Sequence, residues 1–345
     1  MRPKCAAAMS AGIAAILLTL TALPGAARAG SVVKTIQQRG VVRCSVPTAN
    51  GFASHDEQGR PVGLAVDLCR ALAAAVLGNA EAIELRHFPR SKDMAAIESH
   101  EVDASFSLNS WTPARDAGRK VEFGPAFYYD TQGLAVWTQP ATAMARDRRD
   151  GVVCVTAGTS VRRNLDSLIR ANGQKWTLRT GNSWEETLQA FLARECAMLA
   201  ADRGLLDSAL HDLTQTESGI SILPDVMARD ALAPMIATDD HQWQLIVRWT
   251  VFALFLAEEK GISRANAADK RQSGDLETRR LLTGVPTADS RLGLADDWAF
   301  QVISRVGNYG EIFNRNLGSA SPYRQERGLN KPWIQGGLLY APPFQ

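Results

Sequence analysis

Hydroxyls, main-chain donors and a guanidinium crowd into one stretch, Asn109-Ser110-Trp111-Thr112-Pro113-Ala114-Arg115-Asp116. Ser110 and Thr112 offer hydroxyl and N–H groups. Thr112-Pro113 predicts a helix start, with Thr at the N-cap and Pro at the first helical position. One turn on, Arg115 presents a planar fork of donors suited to a carboxylate. At a strand-to-helix junction this is chemistry for an anion. The competing reading is an ordinary capped helix whose Arg115 pairs with Asp116 or Glu122 at the surface. A second donor set, Gly158-Thr159-Ser160, also falls between a strand and a helix, and Asp202 closes an apolar strand-like run. In open α/β sheets ligand groups gather at such strand ends. Here the competing readings are a helix cap at Thr159-Ser160 and an Asp202–Arg203 pair. Taken jointly, an arginine with anion donors on one side and a carboxylate on the other suit a ligand with adjacent carboxylate and ammonium. Phe52, in the turn after the first strand, is placed to cover an apolar part of it.

The elements that position these residues alternate. Val41–Val46 predicts a strand, Asp67–Leu77 a helix closed by Gly78, Ala82–Phe88 a strand and Asp93–Ser99 a helix. That order argues for an α/β sheet with helices on its faces. From Gly151 the order recurs, through Val161–Ala171, Trp176–Arg179, Ser183–Arg194 and Cys196–Ala200. Two similar α/β lobes are therefore expected, with extended crossings near Leu134–Trp137 and Leu232–Ala237. After the second crossing, His241–Glu259 carries apolar residues at helical spacing and predicts one long helix.

Composition bounds the function. The 345 residues are 46% apolar, more than one domain usually needs. Arg2 and Lys4, the apolar run to Leu23 and the small-x-small triplet Ala27-Arg28-Ala29 form a secretory signal, with cleavage near Ala29. Removing Arg2, Lys4 and Arg28 leaves 35 of the 38 basic residues against 36 acidic ones. A near-neutral mature chain gives no reason to expect nucleic acid. Cys44, Cys69, Cys154 and Cys196 remain, an even number in an exported chain. Three pairings are open, and sequence position favours Cys44–Cys69 and Cys154–Cys196. No spacing suggests a metal site, a cofactor or a catalytic nucleophile.

Several blocks resemble one family. They are Gly40-Val41-Val42-Arg43-Cys44 with Asp67-Leu68-Cys69-Arg70-Ala71, Trp111-Thr112-x-x-Arg115-Asp116, and Cys154-Val155-x-Ala157-Gly158-Thr159. The most specific come late: Ile246-Val247-Arg248-Trp249-Thr250, Val306 to Phe313, Arg327 to Asn330, and Gly336-Gly337-Leu338-x-Tyr340-Ala341-Pro342-Pro343. The chain resembles the type II periplasmic solute-binding proteins of ABC importers, more narrowly the general L-amino-acid-binding subfamily. The resemblance implies a two-lobed type II fold, with lobe 1 at 30–138 plus 234–345 and lobe 2 at 139–233. It implies that Arg115 grips an α-carboxylate with Ser110, Thr112, Thr159 and Ser160, and that Asp202 takes the α-ammonium. It further implies a periplasmic monomer without catalytic residues that delivers an L-amino acid to a membrane permease. A sensing role, or a dehydratase-like enzyme on the same fold, is the alternative. Ala65, Ala197, Ala200 and Ser107-Leu108-Asn109-Ser110 depart from the subfamily, leaving fewer hydroxyls around the ligand.

Overall fold

The computed structural model describes residues 31–137, 150–173, 175–214, 219–224, 226–285 and 291–345. The expected signal segment and the expected lobe boundary at 138–139 lie outside them. No described helix is long and apolar enough to cross a membrane.

Thirteen strands are numbered in chain order among the described residues. The first sheet holds β1 (Val42–Ser45), β4 (Ile83–Arg86), β5 (Ala104–Ser105), β6 (Val121–Phe123) and β13 (Met235–Ala237), in the order β4-β1-β5-β13-β6. Strand β1 runs parallel to β4 and β5, and β13 is antiparallel to β5 and β6. The second sheet holds β7 (Tyr128–Trp137), β8 (Asp150–Thr156), β9 (Lys175–Gly181), β10 (Met198–Asp202) and β11 (Ile220–Ile222), in the order β11-β7-β10-β8-β9. Strand β12 (Ala228–Leu232) pairs with β7 off this path. A two-residue hairpin, β2 (Ser54–His55) with β3 (Pro61–Val62), stands apart.

Helices cover both sheets because their apolar stripes have nowhere else to be buried. Helix Leu64–Leu77 is buried along most of its length. Its start requires glycine: Gly63 has φ 138°, and a Cβ there would lie 2.2 Å from the Phe52 carbonyl oxygen. Helix His241–Glu259 has the bounds its periodicity predicts, and Asp240 caps it by accepting from the Trp243 N–H. One disulfide staples each lobe. Cys44 of β1 joins Cys69 of helix Leu64–Leu77, and Cys154 of β8 joins Cys196, with Cα separations of 6.1 and 5.6 Å.

The passage between the sheets differs from expectation. Leu134–Trp137 is not a crossing: these residues are hydrogen-bonded to β10 and β11 within the second sheet. The chain crosses earlier, between Phe123 and Tyr128, and returns at Ala233-Pro234. Long-range pairing with β12 extends β7 back to Tyr128, which local pattern does not reveal. The crossings lie side by side, the Gly124 and Phe127 N–H groups donating to Pro234 and Leu232 carbonyls at 2.9 Å each. The C-terminal segment braces them. The Asn330 side-chain amide accepts from Tyr129 N–H at 2.6 Å and donates to Tyr129 C=O at 2.9 Å, and Tyr309 Oη donates to the Phe127 carbonyl.

Candidate ligand-binding site

Candidate residues follow strands β5 and β8, and Asp202 is the last residue of β10. After β5 the backbone turns sharply, with Leu108 at φ 55°. A left-handed branched residue is strained, and such strain collects at functional sites. Asn109–Trp111 then pairs with the return crossing: Trp111 N–H donates to Ala231 C=O at 2.8 Å, and Ala233 N–H to Asn109 C=O at 3.2 Å. The donor-rich stretch is thus fastened to a hinge strand. Thr112 is the N-cap of a four-residue helix, Pro113–Asp116, with Pro at its first position. Its Oγ1 is buried without a hydrogen-bond partner.

Arg115 is 7% exposed, which rules out the surface reading. Glu122 pairs with Arg248, and Asp116 accepts from the Trp111 indole. Arg115 Nη1 donates to Ser110 C=O at 3.0 Å, and Nη2 reaches the other lobe, donating to Gly158 C=O at 3.2 Å. Beside it Ser110 Oγ lies 2.8 Å from Ser160 Oγ, and both donate to Asp230 Oδ2 at 2.8 and 3.1 Å. Gln132 Nε2 links this cluster to Asp202, donating to Ser160 Oγ at 2.7 Å and to Asp202 Oδ1 at 3.4 Å. Thr159 caps helix Ser160–Asn172 through the Arg162 N–H.

A cavity of about 270 Å³ opens between the lobes. Asp93, Ser107 and Leu108 line it from the first lobe, and Thr159, Trp184 and Asp202 from the second. Thr159 and Asp202 were expected in such a wall. Arg115, Ser110 and Ser160 gather beside it, joined to it through Thr159 and Gln132. Phe52 does not line it: the ring is fully buried, edge-on to Tyr128 at 5.4 Å. The tight backbone approach at Gly63 folds its turn inward. Arg203 pairs with Asp207, not Asp202. Asp93, Leu108, Gln132, Trp184 and Asp230 escaped the sequence reading. Ser183, which caps helix Trp184–Leu192 as Thr159 caps its own, is the one local signal that points to Trp184.

Three buried carboxylates, Asp130, Asp202 and Asp230, meet on the hinge side. Burial pushes the Asp130 carboxyl well above the usual range, and the neighbouring Asp202 charge adds to it. The Thr131 and Gly204 N–H groups oppose the shift by donating to Asp130. No group of His, Cys, Asp and Glu among the described residues could hold a metal ion.

The model of the bacterial extracellular solute-binding proteins, family 3, matches residues 41–319. The chain belongs to that family. As a family 3 solute-binding protein it is 34% identical over 328 residues to the "Putative amino-acid ABC transporter-binding protein YhdW" of Escherichia coli K12, covering 94% of this chain and 96% of that one. It is also 34% identical over 340 residues to the "General L-amino acid-binding periplasmic protein AapJ" of Rhizobium johnstonii, covering 98% of each. Among solved structures, a periplasmic binding protein from Brucella ovis with glutathione bound superposes with a TM-score of 0.84 at 31% identity, covering 91% of this chain and 99% of that one. In this family 3 protein the interlobe cleft is therefore the place to seek a solute.

Proposed function

We propose that this protein is the periplasmic binding component of an ABC amino-acid importer, closing its lobes on an L-amino acid held at both ends of its zwitterion. The observation that carries the reading is the Arg115 fork, which reaches carbonyls of both lobes beside a cavity walled by Asp202. A ligand carboxylate would take over the guanidinium donors now spent on Ser110 and Gly158. Charge-assisted, bidentate bonds of that kind are the strong ones. Ser110, Ser160, Thr159 and the buried Thr112 Oγ1 supply further polar groups, and Asp202 receives the ammonium.

The relatives named as amino-acid transport-binding proteins support this reading, as does the glutathione-bound neighbour, whose ligand carries an α-amino-acid head. The moving bodies are the described residues of 31–123 with 235–345, and those of 128–232, turning about the paired crossings as hinges. The mature protein begins near residue 30, acts as a monomer without catalysing a reaction, and presents its closed form to a membrane permease. Calorimetric titration of signal-free protein, unfolded and refolded to strip bound ligand, tests the core of the proposal. Binding that needs both the carboxylate and the amine is expected. Equal affinity for deaminated or decarboxylated analogues would refute it.

A further inference from the structure

Once the two ends of a zwitterion are matched to Arg115 and Asp202, the acids left among the described residues of the cavity wall are Asp93 and Glu185. Asp93 is 1% exposed and lines the cavity from the first lobe. It accepts from Ser105 Oγ at 2.7 Å, from Asn109 Nδ2 at 2.6 Å and from Ser45 Oγ, all neutral donors. Glu185 lines the cavity from the second lobe, at the start of helix Trp184–Leu192. Among the described residues of the wall, His87 is the one other titratable side chain, and none is a lysine or arginine. The same wall holds two half-buried aromatic side chains, Phe88 from the first lobe and Trp184 from the second.

We infer that this part of the cavity is a side-chain subsite for a cationic head on an apolar stem, so that the solute is a basic L-amino acid such as arginine or lysine. Aromatic rings pack against a methylene stem and attract a cation electrostatically. Asp93 is the deep acceptor and Glu185 the solvent-side one. A second carboxylate on the solute, as in glutamate or at the far end of glutathione, would meet the carboxylates of Asp93 and Glu185. Like-charge juxtaposition of this kind is how a binding site rejects the wrong partner.

The inference rests on the amino-acid reading above, and the experiment separates the two. Stripped wild-type protein, Glu185→Gln and Asp93→Asn are titrated with L-arginine, L-lysine, L-glutamine, L-glutamate and glutathione. Wild type is expected to bind arginine and lysine at least about tenfold more tightly than glutamate or glutathione. Glu185→Gln should lower the arginine-to-glutamine affinity ratio about threefold, the size of an exposed ion pair, and raised salt should lower it in wild type but not in that variant. Asp93→Asn should lower the ratio further. If glutamine binds but glutamate or glutathione matches arginine, or if neither variant moves the ratio, the subsite is overturned while the amino-acid reading stands. If no amino acid binds at all, both fall.

Discussion

Ser110 Oγ and Ser160 Oγ, one from each lobe, lie 2.8 Å apart and share a single acceptor, Asp230 Oδ2, on the returning hinge strand. The two lobes are therefore joined at the crossings by hydroxyls that adjoin the Arg115 fork. Ser160→Ala removes one hydroxyl from this junction and leaves Ser110 and Gln132 to share Asp230. A net hydrogen bond contributes about 1 kcal/mol, so ligand affinity should fall about fivefold with the melting temperature of the free protein nearly unchanged. Calorimetry of the purified variant checks this, and undiminished affinity would remove Ser160 from the closed state.

Arg115→Ala should cost far more. It deletes two donors, one local and one interlobe, and the guanidinium proposed to hold the ligand carboxylate. Bonds to charged groups contribute about 1.5–3 kcal/mol each, so affinity should drop at least about a hundredfold. Arg115→Lys should recover little of this, because an ammonium cannot reproduce the planar fork. Near-normal binding by the lysine variant would mean that charge alone matters here.

How much of this was legible is uneven. The helix over His241–Glu259 could be read to the residue because a long apolar stripe and an Asp cap agree. The Thr112-Pro113 helix start and the two cysteine pairings followed from local rules. Phe52 misled because a polar turn sequence gives no hint that Gly63 brings its backbone against the next helix. The Gln132–Asp230 cluster was invisible because β7 and β12 are about a hundred residues apart, and only their register sets Gln132 opposite Ala228 and Asp130 opposite Asp230. Asp93 read as a helix-start acid; its role depends on Ser45, Ser105 and Asn109 converging from other segments.

The disulfides make a prediction about folding, not affinity. Their sequence separations of 25 and 42 residues correspond, in the chain-entropy picture, to about 3–4 kcal/mol each. Full reduction should lower the urea midpoint substantially while ligand still binds to whatever remains folded. Peptide mapping of the oxidised protein should find Cys44–Cys69 and Cys154–Cys196, and a cross-lobe pair would be incompatible with a hinge motion.

Asn330 tests the C-terminal brace. Its amide makes paired bonds with both backbone groups of Tyr129, at the start of the hinge strand, and is 4% exposed. Asn330→Ala leaves those groups short of partners inside the protein, at about 1–3 kcal/mol apiece. The urea midpoint should fall with the slope unchanged. A variant as stable as wild type would mean that water replaces the amide.

Asp130 makes the sharpest pH prediction. Its folded-state proton affinity is raised by burial first and by Asp202 second, so the folded protein holds this proton more tightly than the unfolded chain does. The contribution to stability is then full at and below the ordinary carboxylate range, and is lost as pH climbs from there through the raised folded value. Asp103, lifted by burial despite Arg39 and Arg43, slopes the same way. Asp130→Asn keeps an acceptor for the Thr131 and Gly204 N–H groups and removes the charge. Melting temperatures between about pH 4 and 8 should therefore decline less steeply for the variant, which should be the more stable protein at neutral pH. Parallel curves for the two proteins would show that Asp130 ionises without cost, and that solvent reaches the carboxylate cluster behind the hinge.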